Sequence, residues 1–165
     1  MTCDLERLNI LLVDDEKSMR YLVRDVLHAF GILNVRLASD APSAYQMLDE
    51  FIADIIILDW QMTPVNGLDL LKRIRTAEDS PDPYVPVIML TAHTELNRVI
   101  ECQVAGANSV LAKPIAPITL YRRIERIVED GYVTRSNVHF LPEVAKFGTA
   151  SGKSEKQRQI LRQIR

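Results

Sequence analysis

A run of four apolar residues, Ile55 to Leu58, leads directly into a carboxylate, Asp59. Such a short run, rich in β-branched residues and without polar alternation, is typical of a strand buried on both faces. Strands of this kind belong to parallel sheets, in which functional groups collect at the carboxyl ends of the strands. Asp59 is therefore predicted either to carry chemistry at that edge or to cap a helix.

Similar runs recur along the chain, and each is followed by apolar residues at helical spacings of three and four. The predicted strands are residues 9–13, 35–38, 55–58, 87–90 and 109–112. Ser39 or Asp40 is expected to cap the second helix, and Gly106 to end the fourth. Five rounds of strand and helix predict an α/β fold with a doubly wound parallel sheet and helices on both faces.

Composition narrows the class of protein. Apolar residues make up 47% of the 165 residues and charged residues 25%, which is ordinary for a soluble globular protein. No apolar run is long enough to span a membrane, and Asp4 and Glu6 interrupt any signal-peptide core. The two cysteines form no disulfide or metal-binding pattern. We therefore expect a cytoplasmic protein without a membrane segment.

Charge divides the chain into a domain and a tail. Residues 1–130 carry 13 Lys and Arg against 20 Asp and Glu, whereas residues 131–165 carry 7 against 2. We interpret residues 1–130 as the domain and 131–165 as a basic C-terminal tail, partly disordered or containing a short docking helix. Ser154 and Gln157 resemble a capping box that would open such a helix. The tail is too short for a helix-turn-helix domain, so nucleic acid is not an expected partner.

Polar side chains follow four of the five predicted strands. Asp14 and Asp15 follow the first strand, Asp59 the third, Thr91 the fourth and Lys113 the fifth. In a doubly wound sheet these residues converge on one crevice. Three carboxylates in one crevice repel each other unless a divalent cation lies among them, and oxygen ligands suit Mg²⁺ or Mn²⁺.

The same crevice suits a phosphoryl group. Lys113 supplies a compact positive charge and Thr91 a hydroxyl donor for phosphoryl oxygens. A carboxylate such as Asp59 can act as a nucleophile that accepts the phosphoryl group. Phosphoryl transfer otherwise needs mainly alignment and neutralised charge.

These residues resemble the response-regulator receiver domains of two-component signalling, of the kind found in chemotaxis receivers. The matching motifs are Asp14-Asp15, the segment Leu-Asp-Trp-Gln-Met-Thr-Pro-Val-Asn-Gly at residues 58–67, Thr91-Ala92 and Lys113-Pro114. The resemblance covers residues 8–129. It implies a flavodoxin-like (βα)5 fold with strand order 2-1-3-4-5.

The resemblance also implies roles for individual residues. Asp59 would be the phosphoacceptor, and Asp14, Asp15 and Asp59 would hold Mg²⁺ together with the Gln61 backbone carbonyl, Asp14 acting largely through water. Lys113, Thr91 and the backbone N–H groups of Trp60 and Ala92 would hold the phosphoryl oxygens. Catalysis would be limited to self-phosphorylation and slow autodephosphorylation, so an enzyme with turnover is not expected.

Three other positions affect how fast the phosphoryl group is lost and how the signal reaches a partner. Gln61 and His93 stand where the family modulates hydrolysis of the phosphoryl group. Val110 stands where the family often has an aromatic switch residue, so that part of the switch is missing.

The expected partners are a histidine kinase or histidine phosphotransfer protein and a downstream protein bound on the face of helix 4, strand 5 and helix 5. The expected state is a monomer or weak dimer.

Two alternatives remain open at this point, and a third is not expected. Because of Val110, the chain could be a receiver-like scaffold that signals without phosphorylation. It could also be the receiver fragment of a longer regulator. A phosphatase of the haloacid-dehalogenase kind would need a second acid two residues after the nucleophile, and that position is Gln61.

Overall fold

The five apolar runs form one parallel sheet in the computed structural model, which describes residues 5–131. The strands are β1 (Asn9–Val13), β2 (Asn34–Ala38), β3 (Ile55–Asp59), β4 (Val87–Thr91) and β5 (Ser109–Ala112). Their order is β2-β1-β3-β4-β5, which confirms the predicted flavodoxin-like topology. The predicted strand limits agree with the observed ones to within one residue. The polar end residues Asp59 and Thr91 thus belong to their strands.

Four helices connect the five strands, a fifth helix follows β5, and a 3-10 turn at Leu5–Arg7 precedes β1. The five helices are α1 (Lys17–Ala29), α2 (Ala41–Glu50), α3 (Gly67–Thr76), α4 (Leu96–Ala105) and α5 (Pro117–Glu129). Asp40 caps α2 by accepting a hydrogen bond from the Ser43 N–H at 2.8 Å, as predicted. The fourth helix ends at Gly106, whose φ of 104° is a conformation that favours glycine.

Alternation along the strands divides the apolar side chains between two helical layers. Residues such as Ile10, Leu12 and Ile57 face α1 and α5. Their neighbours, such as Leu11 and Leu58, face α2, α3 and α4. Strands β1, β3 and β4 are therefore buried on both faces, which explains their unbroken apolar runs. The edge strand β2 alternates instead between exposed and half-buried positions over most of its length.

Strand register determines which polar residues meet. Val13 pairs with Leu58, so Asp14 and Asp59 emerge side by side at the carboxyl edge of the sheet. Thr91 pairs with Ala112, so Lys113 follows at the same edge. None of the helices within residues 5–131 is long and apolar enough to cross a bilayer. The predicted tail, including the Ser154 segment, lies outside the described residues except for Gly131.

Candidate functional site

Three carboxylates lie together at the carboxyl edge of the sheet. Asp14, Asp15 and Asp59 each place an oxygen within 4.8 Å of the others. Asp14 is fully buried and Asp59 is only 3% exposed, whereas Asp15 faces solvent. The backbone N–H of Thr63, in the loop after β3, donates to Asp15 at 3.3 Å. The predicted cluster is thus assembled, and its oxygen donors suit a hard divalent cation such as Mg²⁺.

Lys113 supplies the positive charge in this acidic cluster. Its Nζ lies 2.9 Å from Asp14 Oδ2 and 2.9 Å from Asp59 Oδ1. The backbone N–H of Lys113 donates to the Thr91 carbonyl at 2.8 Å, which anchors the base of the side chain to β4. The peptide bond from Lys113 to Pro114 is cis. The Lys113 ammonium therefore contacts Asp59, the predicted phosphoacceptor. The strand-end pattern predicted that these two residues lie close together.

The electrostatics of this cluster raise the pKa of Asp59 and that of Lys113. Burial raises the pKa of Asp59; the hydrogen bond from Lys113 lowers it without cancelling that effect, and the charges of Asp14 and Asp15 raise it further. Burial alone would lower the pKa of Lys113. Its hydrogen bonds to Asp14 and Asp59 outweigh that effect and hold this pKa above its usual value. One ammonium group does not neutralise three carboxylates, so a divalent cation fits the remaining charge.

Thr91 and His93 form a closed turn beside the carboxylates. The Thr91 hydroxyl donates to the His93 carbonyl at 3.0 Å and accepts from the His93 N–H at 2.9 Å. The His93 ring then meets the Gln61 side chain, with 2.9 Å between Nε2 atoms. The two residues expected to modulate hydrolysis are thus in contact, and the Thr91 hydroxyl is held by its own turn.

The two backbone donors expected for phosphoryl oxygens differ in their surroundings. The Trp60 N–H donates to the Leu90 carbonyl at 2.9 Å as a continuation of the pairing between β3 and β4. Ala92 is exposed at the end of β4. The Trp60 donor therefore already has an acceptor, and the roles of both groups stay predictions. Val110 is half-buried and packs on the layer of α2, α3 and α4.

Three residues position the site although the sequence interpretation assigned them no part in it. A Cβ on Gly67 would lie 1.9 Å from the Asp59 carbonyl oxygen, so only glycine fits there. The Arg20 guanidinium donates to the Asp14 carbonyl at 2.5 Å. Arg98 of α4 lies over the Trp60 ring at 5.2 Å. In the sequence, Gly67 is only the last residue of the motif at residues 58–67, and no local pattern marks the two arginines.

Comparison with known proteins agrees with this geometry. The family model for the response regulator receiver domain matches residues 10–125. The chain is 36% identical over 124 residues to chemotaxis protein CheY-3 of Vibrio cholerae, covering 75% of this chain and 94% of that protein. It is 34% identical over 122 residues to chemotaxis protein CheY of Pseudomonas aeruginosa, covering 74% and 97% respectively.

Solved structures show the same fold. The structure of chemotaxis protein CheY4 of Vibrio cholerae superimposes with a TM-score of 0.67 at 31% identity, covering 73% of this chain and 98% of that one. The Francisella response regulator 1452 receiver domain gives a TM-score of 0.69 at 26% identity, covering 75% and 98%. The chain belongs to the response regulator receiver domain family of two-component signal transduction.

Proposed function

We propose that the chain receives a phosphoryl group on Asp59 and passes the signal on by protein contact. The observation that carries this proposal is the contact of the Lys113 ammonium with both Asp14 and Asp59 at 2.9 Å, inside a cluster of three carboxylates. A structural ion pair needs one carboxylate. A second and a third carboxylate in the same pocket are expected where a metal ion and a phosphoryl group bind together.

The transfer is a nucleophilic displacement at phosphorus. A carboxylate oxygen of Asp59 forms the new P–O bond while the P–N bond of a phosphohistidine donor breaks, and the leaving imidazole takes up a proton. The raised pKa of Asp59 opposes this step, because only the ionised carboxylate attacks. Asp15, Asp59 and the Gln61 carbonyl, with Asp14 nearby, would hold Mg²⁺, and its positive charge would favour the ionised form of Asp59 and neutralise the phosphoryl oxygens.

The residues of the chain then hold the product. Lys113 is charged and already lies 2.9 Å from Asp59 Oδ1, so a short movement from its present carboxylate partners would let it donate to a phosphoryl oxygen on that residue. The Thr91 hydroxyl has to leave the His93 carbonyl before it can donate to the same group. This exchange frees the carbonyl of His93, which lies two residues before Glu95, the N-cap of α4. The phosphorylation state is thereby linked to the face made by α4, β5 and α5, where we place the downstream partner.

The proposed role is that of a signalling domain without substrate turnover. In this proposal Gln61 and His93, whose side chains contact each other, influence an attacking water and set a slow loss of the phosphoryl group. The donor is a histidine kinase or a histidine phosphotransfer protein, in the cytoplasm. The buried thiol of Cys102 is compatible with a reducing compartment.

A scaffold that signals without phosphate is the second candidate, and Val110 favours it. An aliphatic side chain at this position has no ring to swing inward. In that case, addition of a phosphodonor would leave the affinity for the downstream partner unchanged. The intact Asp14, Asp59 and Lys113 constellation favours the first candidate.

The test is phosphorylation of the full chain by a small phosphodonor with Mg²⁺, followed by intact mass. We expect a mass gain of one phosphoryl group in the wild type and in Asp25→Asn, which removes an exposed carboxylate on α1. We expect no gain in Asp59→Asn or after chelation of the metal. A phosphoryl group retained by Asp59→Asn would reject Asp59 as the acceptor.

A further inference from the structure

The connection between β1 and α1 carries two of the three carboxylates, and they are held unequally. Both oxygens of Asp14 have close partners: Oδ1 accepts from the Glu16 N–H at 2.8 Å, and Oδ2 lies 2.9 Å from Lys113 Nζ. The exposed Asp15 carboxylate accepts one hydrogen bond in the described part of the chain, from the Thr63 N–H at 3.3 Å. That distance is longer than is usual for N–H···O bonds. The direction of the Asp15 side chain therefore depends mainly on the backbone that carries it.

Arg20, in the first turn of α1, holds that backbone. Its Nη1 donates to the Asp14 carbonyl at 2.5 Å, and because the donor is charged this hydrogen bond is of the short, strong kind. The Asp14 carbonyl and the Asp15 N–H belong to the same planar peptide group. Fixing the carbonyl oxygen therefore restricts the plane from which the Asp15 side chain starts. The half-buried guanidinium thus ties the acidic connection to the helix that follows it.

The charge of Arg20 and its contact should have opposite effects on a bound cation. A guanidinium near the carboxylates repels a second cation, so the charge alone would weaken metal binding. Its field reaches a neighbouring acid: the pKa of Asp40 is lowered chiefly by a hydrogen bond from the Ser43 N–H, and the Arg20 charge adds to that effect. The contact instead orients a metal ligand, which raises affinity. The sign of the change on removing Arg20 therefore separates the two roles.

We propose that Arg20 is a positioning residue for the divalent cation of the phosphorylation site. By holding the Asp14 carbonyl, it directs the Asp15 carboxylate towards Asp59, with which it forms a cluster of oxygens within 4.8 Å of one another. Asp15 and Asp59 would be the ligands, and Arg20 would act on the metal only through Asp15. Since the metal concerned is the one that would serve Asp59, this role rests on the proposed function.

The test is Mn²⁺ binding to the full-length chain, measured from the EPR signal of the free ion at a temperature where every variant is folded. Arg20→Met should weaken Mn²⁺ binding roughly tenfold, the scale of effect for groups that orient metal ligands. Arg20→Lys keeps a charged donor for the single carbonyl and should bind Mn²⁺ more tightly than Arg20→Met. If Arg20→Met does not fold, Arg20→Gln takes its place with the same expected sign.

Arg24→Met is the matched control. It removes the same charge one turn further along α1, where the partners of the guanidinium are Asp25 and the Tyr21 ring. Because neither partner belongs to the carboxylate cluster, the variant should change the Mn²⁺ affinity by less than about twofold.

Urea unfolding without metal separates positioning from a purely structural role. A structural role would lower the free energy of unfolding of Arg20→Met and leave the Mn²⁺ affinity of the folded variant unchanged. That result, tighter binding by Arg20→Met, an equal loss in Arg24→Met or no recovery in Arg20→Lys would each overturn the role of Arg20 alone. Absence of Mn²⁺ binding by wild type would overturn it together with the proposed metal site. Phosphorylation of Asp59→Asn would contradict the proposed function and leave the role of Arg20 in metal binding standing.

Discussion

The two ends of the sheet bury polar groups in opposite ways. At the amino-terminal end, the Arg75 guanidinium donates to the carbonyls of Gly106 and Pro83 and to Asn108 Oδ1, although no carboxylate of residues 5–131 forms an ion pair with it. Burial lowers its pKa to about 10, so it stays charged at neutral pH. At the carboxyl end, Asp14 and Asp59 share one ammonium with a third acid close by. The hydrogen-bonding capacity of Arg75 is satisfied, whereas the negative charge around Asp59 is not balanced.

This difference separates a structural network from a reactive one. Arg75 ties α3 to the loop before β4 and to the turn after α4, and its donors have acceptors. The acids around Asp59 have excess negative charge that a bound cation would relieve. The comparison predicts that a change to Arg75 affects stability alone. Changes at the carboxyl end should affect metal and phosphoryl binding and, for Asp59, should even stabilise the fold.

The largest effect is expected for Lys113→Met. Removing the ammonium leaves Asp14 and Asp59 buried without a cation, so the free energy of unfolding should fall by about 3 kcal/mol in metal-free buffer at neutral pH. Urea unfolding measures this change. Arg126→Gln removes the exposed partner of Asp130 and should cost less than ~1 kcal/mol. Equal stability of Lys113→Met and wild type would mean that the lysine does not hold the acids together.

Arg75→Met should have the next largest effect. It leaves the carbonyls of Gly106 and Pro83 without a donor, and we expect a loss of about 2 kcal/mol in the free energy of unfolding. Phosphorylation of Asp59 in the folded protein should be unchanged. Lys72→Gln, an exposed charge on the same helix, is the control and should change stability by less than ~0.5 kcal/mol. Impaired phosphorylation in folded Arg75→Met would break the proposed division between the two ends.

Asp59→Asn should stabilise the metal-free protein at neutral pH. A carboxyl group whose pKa is raised on folding contributes its full stability below the unfolded value, here 3.8, and this contribution is lost as pH rises through the folded pKa. Wild type therefore carries a penalty at neutral pH that asparagine avoids, and the difference in melting temperature should shrink towards pH 4. Thermal unfolding across this range, with Asp25→Asn as the exposed control, measures it. A variant less stable than wild type at neutral pH would contradict the electrostatic account.

The smallest effect is expected for Arg98→Gln. The guanidinium lies over the ring of Trp60, the only tryptophan in the chain, so the variant should lose no more than ~1 kcal/mol of stability. In this variant the fluorescence emission of Trp60 should change less than in wild type when Mg²⁺ and a phosphodonor are added, because the Arg98 guanidinium no longer lies over the ring. Fluorescence titration is the measurement, with Arg73→Gln as a control at a distant ring, that of Tyr45. An unchanged response would exclude Arg98 as the link from Trp60 to α4.

Much of the fold was predictable because central parallel strands have no solvent-facing side and therefore read as unbroken apolar runs. The carboxylates and Lys113 were predictable for the related reason that strand ends of one sheet share an edge. The contacts of Arg20 and Arg98 were not, because long side chains reach partners that no spacing reveals. The turn that holds the Thr91 hydroxyl depends on local backbone geometry, and the need for glycine at position 67 arises only when the loop folds back onto Asp59.

The most direct test of the central claim is a crystal structure with Mg²⁺ and beryllium trifluoride, which mimics a phosphoryl group on a carboxylate. We predict the metal between Asp15, Asp59 and the Gln61 carbonyl, with the mimic on Asp59 and bound by Lys113. The Thr91 hydroxyl should have turned from the His93 carbonyl to the mimic. A metal bound elsewhere, or Asp59 left unmodified while Lys113 keeps both carboxylates, would contradict the account.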